Sequence, residues 1–340
     1  MSLPLLVTGA AGFIGARFVE SCNARGIPVV SVDVRSAFTR PEHDGILWGE
    51  IVDRDELFDR LAGDLGEQTF AGIVHLGACS ATTELDLDFL ERVNVDYSKK
   101  LWNYACSHDV PFVYASSAAT YGAGELGYSD DESKFEQLKP LNPYGDSKRR
   151  FDIWAIAQER EGNTPPAWCG FKFFNVYGFG ERHKGPMASV VVKAYDQIKD
   201  RGIVRLFRSH KDGIADGHQS RDFIWVGDVI DVLHWSLDMP LERGVYNLGT
   251  GTARSFLALV NATFAAMDVE PHIEWIDTPV ELRERYQYFT EADMGRLREA
   301  GYSRAFTKLE EGVRRTVEAM RAAESPTLDT TGTSVKSDAQ

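Results

Sequence analysis

At 340 residues the chain exceeds the usual single-domain size, its 43% hydrophobic and 26% charged residues are ordinary globular values, and no apolar run approaches the ~20 residues that span a bilayer. A formal charge of −14 argues against a nucleic-acid backbone as partner, because one polyanion repels another, so an anionic ligand must meet a local cationic pocket. The four cysteines, Cys22, Cys79, Cys106 and Cys169, are widely separated and form no C-x-x-C pair; they read as reduced thiols, give no metal site, and with no leader ahead of the first strand point to the cytoplasm.

Short apolar runs at 5–7, 28–32, 72–76, 112–115 and 170–174 have the character of buried strands, and the stretches 13–25, 87–107 and 145–161 between them have helical spacing and length. This alternation predicts an α/β fold, a Rossmann-type doubly wound parallel sheet with ligand at the carboxyl ends of its strands. After residue 178 the pattern breaks into loops, a helix near 187–200, and pieces rich in Arg and aromatics. The expected organisation is a dinucleotide-binding domain over 1–178, to which later segments return, a substrate-binding lobe mainly over 179–323, and a disordered polar tail over 324–340.

Directly after the first strand comes Gly9-Ala10-Ala11-Gly12-Phe13-Ile14-Gly15. Glycines at this spacing permit a tight turn, close approach of backbone to a pyrophosphate, and helix-on-strand packing, with the phosphates on the helix N-terminus. Asp33 closes the second strand, where a carboxylate bonds the adenosine ribose hydroxyls of NAD; Arg35, Arg40 and Arg54 follow and could neutralise the 2′-phosphate of NADP. The residues alone leave that choice open.

In Asn142-Pro143-Tyr144-Gly145-Asp146-Ser147-Lys148, proline stands where a helix can begin, and Tyr144 and Lys148 then share one helical face. A phenol titrates near pH 10, so a fixed ammonium beside it favours the tyrosinate that would take a hydroxyl proton. Ser117, at the carboxyl end of the strand near 112–115, is placed to hold the reacting oxygen beside Tyr144. Lys184, between His183 and Gly185, reads by itself as an ordinary loop lysine.

The Gly9 turn, Ser117, Tyr144 and Lys148, in this order, resemble the extended short-chain dehydrogenase/reductases. His75-Leu76-Gly77-Ala78-Cys79-Ser80-Ala81-Thr82-Thr83-Glu84, Phe174-Asn175-Val176-Tyr177-Gly178, His183-Lys184-Gly185-Pro186-Met187-Ala188-Ser189-Val190 and Arg221-Asp222-Phe223 narrow the likeness, over about residues 5–320, to the nucleotide-sugar epimerases that act at carbon 6 of an ADP-linked heptose. The resemblance implies Tyr144 and Lys184 as two catalytic bases, with Ser117 and Lys148 beside Tyr144. It implies NADP, with NAD second, held by Gly9, Gly12, Phe13, Ile14, Gly15, Asp33, Arg40, Arg54, Leu76, Ala78, Ser80, Asn94, Lys148 and Val176. Around the ADP-linked heptose it sets Ser80, Asn175, Pro186, Lys193, Phe207, Ser209, Arg221 and Tyr286, and for the assembly it implies a homo-oligomer, a pentamer. The chain departs from the family pattern at Val34, usually Asn, at Phe179-Gly180, and at Lys193, often His.

Inversion at an exocyclic carbon gives two bases a purpose. A ketone that turns over by rotation about one bond leaves its first proton acceptor and must meet a second donor, and Lys184 would be that donor. Other nucleotide-sugar epimerases and reductases share the core chemistry, whereas dehydratases of this kind carry Asp-Glu where this chain has Ala118-Ala119. An inactive NADP-binding regulator would have lost Tyr144 or Lys148, and both are present.

Overall fold

The computed structural model describes residues 2–239, 242–283 and 287–324. Strand β1 (Leu5–Thr8) leads through the glycine turn into helix α1 (Phe13–Ala24), followed by β2 (Val29–Asp33), β3 (Glu50–Asp53), α2 (Leu57–Ala62) and β4 (Gly72–His75). Helix α3 (Leu87–Leu90), a π turn (Glu91–Asp96) and α4 (Tyr97–Ser107) form one continuous helical run before β5 (Phe112–Ser117), α5 (Pro143–Glu161) and β6 (Trp168–Phe173). The chain continues through β7 (Asn175–Tyr177), α6 (Val190–Arg201), β8 (Val204–Phe207), β9 (Ser220–Trp225), α7 (Val226–Asp238) and β10 (Gly244–Leu248). It closes with β11 (Ala253–Ser255), α8 (Phe256–Ala266), β12 (Ile273–Ile276), α9 (Val280–Arg283), α10 (Gly295–Glu299) and α11 (Leu309–Glu324).

Seven strands form one parallel sheet in the order β10-β6-β5-β4-β1-β2-β3. Its central strands are apolar on both faces because helices cover both: Leu6, Val7, Ile73, Val74 and Phe112 are fully buried. Thr8 is in register with Val32 of β2 and with His75 of β4, so these three strands end level and their following loops open on one edge. The connections run outward in opposite directions from β1 and β4, the switch point at which α/β sheets open a ligand crevice.

Five of the seven strands lie where the apolar runs predict. The edge strand β3 carries a single fully buried side chain, Val52, and β10 interrupts its apolar run with Asn247, so neither has a strand-like hydrophobic signature. A second, smaller core gathers α6, β8, α8 and α11 beside the three-stranded sheet β11-β9-β7 and the pair β12-β8. The chain crosses between the two cores repeatedly: β7 joins the small sheet, whereas α7, β10 and Leu297 pack in the large core. Glu324, expected in the polar tail, ends α11 and accepts from Tyr195 and Lys199, both at 2.7 Å; the rest of that tail lies outside the described residues.

Helix α5 is fixed at both ends and along its buried face. Asn142 caps it, its Oδ1 accepting from the Gly145 amide at 2.8 Å, with Pro143 in the first turn and Gly162 in the left-handed conformation beyond the last. Midway, the fully buried Asp152 carboxylate accepts from Tyr114 (2.9 Å) and Ser116 (2.7 Å) of β5 and from Lys172 Nζ of β6 (2.6 Å). One carboxylate thus ties the helix to two adjacent strands, directly beneath Tyr144 and Lys148.

Candidate active site

A cleft of about 680 Å³ opens at the carboxyl ends of β1, β2, β4, β5 and β6. One end is built on the glycine turn, where Gly9, Gly12, Phe13, Ile14 and Gly15 line the wall. Gly9 has φ +67°, and a Cβ there would stand 2.5 Å from the Gly77 amide nitrogen; a Cβ at Gly15 would stand 2.0 Å from the Gly9 carbonyl. Gly12 precedes α1 with no side-chain cap, which leaves first-turn N–H groups free to meet an anion. Asp33 and Arg40 grip the same turn from either side. Asp33 accepts from the Ala11 amide (3.0 Å) and the Val34 amide (2.8 Å), while Arg40 Nη1 donates to the Ala11 carbonyl at 2.7 Å. Burial pushes the Asp33 carboxyl up, opposed by those two amides and by Arg40 and Arg54. Backbone cradle, carboxylate and two cleft-lining arginines are a donor set that fits a dinucleotide.

Leu76, Ala78, Ser80 and Val176 also line the cleft. Two expected residues do not. Arg35 is more than half exposed and pairs with Glu56 at 3.0 Å, so only Arg40 and Arg54 of the arginine cluster face inward. Asn94 lies behind the wall: the π turn directs its amide onto Cys79, bonding both N–H (2.8 Å) and carbonyl (3.0 Å), and onto Ser147 Oγ (2.9 Å). It holds the 76–80 loop against α5 instead of lining the cavity.

Ser117, Tyr144 and Lys148 meet on the floor. Burial raises the Tyr144 phenol above its ordinary value, and the neighbouring Ser117 hydroxyl draws it back. Lys148 Nζ donates to the Ala115 carbonyl at 2.8 Å, and burial pushes its ammonium down to about 8. Lys184 lines the same cleft from the turn Arg182–Met187, which Gly185 kinks with φ +52°. Its Nζ lies 3.2 Å from Glu181 Oε2 and 5.2 Å from the centre of the Phe13 ring, at the head of α1.

The expected substrate residues divide. Ser80 and Asn175 line the main cleft. Lys193 and Phe207 line a second cavity of about 300 Å³ that shares Val190 and Phe256 with the first. Pro186 lines neither, and its carbonyl accepts from Lys193 Nζ at 2.6 Å. Ser209 also lies outside both, its amide donating to Asp216 at 2.7 Å. The Arg221 guanidinium donates to the carbonyls of Ser220 (2.9 Å) and Gln287 and packs 5.5 Å from the Phe256 ring, which forms part of both cavity walls. Tyr286 lies outside the described residues.

The sequence profile of the NAD dependent epimerase/dehydratase family matches residues 5–249. This chain belongs to that family. Within the family it is 49% identical over 327 residues to the ADP-L-glycero-D-manno-heptose-6-epimerase of Nitratidesulfovibrio vulgaris, covering 95% of this chain and 99% of that one. The protein of that name from Fusobacterium nucleatum is 44% identical over 324 residues, 91% of this chain and 96% of its own. Among solved structures, Helicobacter pylori ADP-L-glycero-D-manno-heptose-6-epimerase superposes with a TM-score of 0.78 at 24% identity, over 94% of this chain and 97% of that one; at that identity the likeness shows the fold alone. MoeE5 in complex with UDP-glucuronic acid and NAD has a TM-score of 0.74 at 26% identity, over 94% and 99% of the two chains. The chain is thus an epimerase-family enzyme built to work with a nicotinamide cofactor, and no helix among its described residues is long and apolar enough to cross a membrane.

Two polar residues of this epimerase site escape sequence reading. Glu181 has a fully buried carboxylate three residues before Lys184, a spacing that in an isolated loop reads as solvated charge. Gln219 lines the second cavity with its Oε1 buried and without a hydrogen-bond partner among the described residues. Neither stands in a motif with a chemical signature; only the folded turn and strand show their burial.

Proposed function

We propose that this family member interconverts the carbon-6 epimers of ADP-glycero-D-manno-heptose, with Tyr144 and Lys184 each serving one face of the reacting carbon. The observation that carries this reading is the meeting, in one cleft, of two proton-handling side chains from unrelated elements: Tyr144 on α5 beside Ser117 and Lys148, and Lys184 on the turn Arg182–Met187. A simple reductase has no use for a second proton carrier, and the acid/base pair a dehydratase adds stands where this chain has Ala118-Ala119. The names of the relatives at 44% and 49% identity support the same substrate.

When bound, the nicotinamide would supply reversible acceptance of hydride at the sugar carbon. Its phosphates would rest on Gly9–Gly15 and the head of α1, and we propose NADP, with Arg40 and Arg54 holding the 2′-phosphate beside Asp33. Ser117 and Tyr144 hold the sugar hydroxyl, and Tyr144 takes its proton. The buried cation of Lys148, close to the phenol on the next turn, favours the tyrosinate that does so. Rotation about the bond to carbon 6 then carries the carbonyl oxygen to Lys184, which supplies the proton of the new hydroxyl. Asn175 and Ser80 line the sugar end, and Lys193 and Phe207 the adjoining cavity for the nucleotide. The resemblance also supports a cytoplasmic homo-oligomer, a pentamer, which light scattering would measure.

The test is direct. Purified protein is incubated with one heptose epimer, and the approach to equilibrium is followed by separating the two. Equilibration by the wild type with loss in Lys184→Met supports the reading. A Lys184→Met variant at the wild-type rate leaves Tyr144 as a single base and overturns it.

A further inference from the structure

Glu181 has no role in the chemistry described so far, yet its carboxylate is fully buried and does not line the cleft, so it cannot touch substrate. Oε2 accepts from Lys184 Nζ at 3.2 Å and from the Ser189 amide at 2.9 Å; Oε1 accepts from the Gly178 amide at 3.4 Å. A carboxylate removed from water persists where it is paired and hydrogen-bonded, and here all three donors belong to the single loop that carries Lys184. On its other side the Lys184 amine lies 5.2 Å from the centre of the Phe13 ring, so carboxylate and ring face grip it between them.

We propose that Glu181 is the positioning residue of Lys184: it aims the amine into the cleft, so that Lys184 meets the rotated oxygen as a proton donor. This inference rests on the two-base reading above. In the direction that ends on the Lys184 face, the starting hydroxyl proton goes to the Tyr144 oxygen. An N–H bond of Lys184 breaks as the new O–H bond forms, and the nitrogen keeps the electron pair. The hydride that left the carbon has returned to it, so no outside oxidant or reductant is required. Transfer of one proton from Tyr144 to Lys184 by way of water resets the site, and the Glu181 carboxylate is the counter-charge that draws it there.

Glu181 also holds the loop through the Ser189 and Gly178 amides, and the experiment separates the two roles. Glu181→Gln removes the charge and keeps one acceptor oxygen, which can serve the closer Ser189 amide while its NH2 takes the place of the oxygen at the Gly178 amide. The expected result is a folded variant with unchanged bound nucleotide and KM for the ADP-sugar, and a kcat lower by ~10²-fold, the size of loss that follows misplacement of a reacting group. Glu181→Asp, which keeps the charge at shorter reach, recovers part of that loss and serves as the test should the Gln variant fold poorly. In the double variant Glu181→Gln/Lys184→Met, kcat falls no further than in Lys184→Met alone, because one residue acts through the other. Lys184→Met inactive beside a Glu181→Gln enzyme of wild-type kcat overturns this inference and leaves the two-base reading standing, as does an additive loss in the double variant. Lys184→Met at the wild-type rate overturns both.

Discussion

Lys148 Nζ donates to the Ala115 carbonyl at 2.8 Å, on the strand whose last residue, Ser117, lines the cleft with Tyr144. Burial pushes the ammonium down from its ordinary 10.5 to about 8. Folding at neutral pH therefore carries a cost. Below about pH 8 the lysine is protonated in both folded and unfolded chains and the full cost is present; between about 8 and 10.5 the folded protein releases its proton first, and the cost falls as pH rises. Lys148→Met in nucleotide-free protein is expected to be more stable than wild type at pH 7 by roughly 2 kcal/mol, the shift less one lost hydrogen bond. The gain shrinks as pH is raised through 8. Urea unfolding at pH 7 and pH 9 checks this; a gain that stays constant with pH would show that the charge is not its source.

The buried pair beneath that lysine gives the opposite sign. Lys172 Nζ meets Asp152 Oδ2 at 2.6 Å with both side chains fully buried, and Asp152 also anchors Tyr114 and Ser116. Lys172→Met leaves a buried carboxylate without its cation, which costs about 3–5 kcal/mol. A loss of that size in denaturant melts is expected, with the melting transition still cooperative. A loss under about 1 kcal/mol would place the pair with solvent-screened surface bridges instead.

The sequence made some of this legible and not the rest, for reasons that are physical. The five central strands, the Gly9 turn and the Tyr144/Lys148 face can be read because apolar period, glycine spacing and a four-residue repeat are local properties of the chain. Strand β3 and strand β10 cannot, since one has a single fully buried residue and the other a buried Asn whose Oδ1 accepts from Tyr121 at 2.6 Å, 126 residues away. The resemblance sets Asn94 at the cofactor, whereas the π turn directs its amide onto Cys79 and Ser147, and no local signal announces such a turn. Arg35 and Arg40 look alike in sequence. Only tertiary contact separates the one that pairs with Glu56 from the one that grips Ala11.

That separation sets the expectation for nucleotide choice. Arg40 and Arg54 both line the cleft beside Asp33, so the protein as purified is expected to release NADP(H). Arg40→Ala or Arg54→Ala should weaken NADP by about 1.5–3 kcal/mol, the size of a charge-assisted hydrogen bond, and leave NAD nearly untouched. Nucleotide released by denaturation and identified by mass checks the first part, and calorimetric titration the second. Release of NAD alone, with an affinity unchanged by a 2′-phosphate, would make Asp33 the dominant group.

Arg221 is a buried cation of the smaller core in a chain of net charge −14, held by the Ser220 and Gln287 carbonyls and packed on Phe256 between the two cavities. Arg221→Ala is expected to weaken ADP-sugar binding far more than nucleotide-cofactor binding, by about 1.5–3 kcal/mol. Titration with ADP and with the cofactor separately measures the difference. Equal loss of both affinities would remove Arg221 from the substrate end, and a change confined to the melting temperature would make it a tie between β9 and the segment at Gln287.

The two-base reading makes the strongest demand on the site. Tyr144 and Lys184 line one cleft from α5 and from the turn kinked at Gly185, and the reading assigns each of them one face of the reacting carbon. Tyr144→Phe and Lys184→Met are each expected to lower epimer interconversion by about 10²–10⁴-fold, the usual contribution of a general acid or base. Bound nucleotide and melting temperature should be unchanged. With an aldehyde analogue that has no stereocentre at carbon 6, one molecule can be oxidised while a second is reduced without inversion, so a single base suffices. Each single variant should then retain dismutation while losing epimerisation, and the double variant should lose both. A Lys184→Met enzyme that equilibrates the epimers at nearly the wild-type rate, or single variants that lose both reactions equally, would show that the two faces are not served by separate groups.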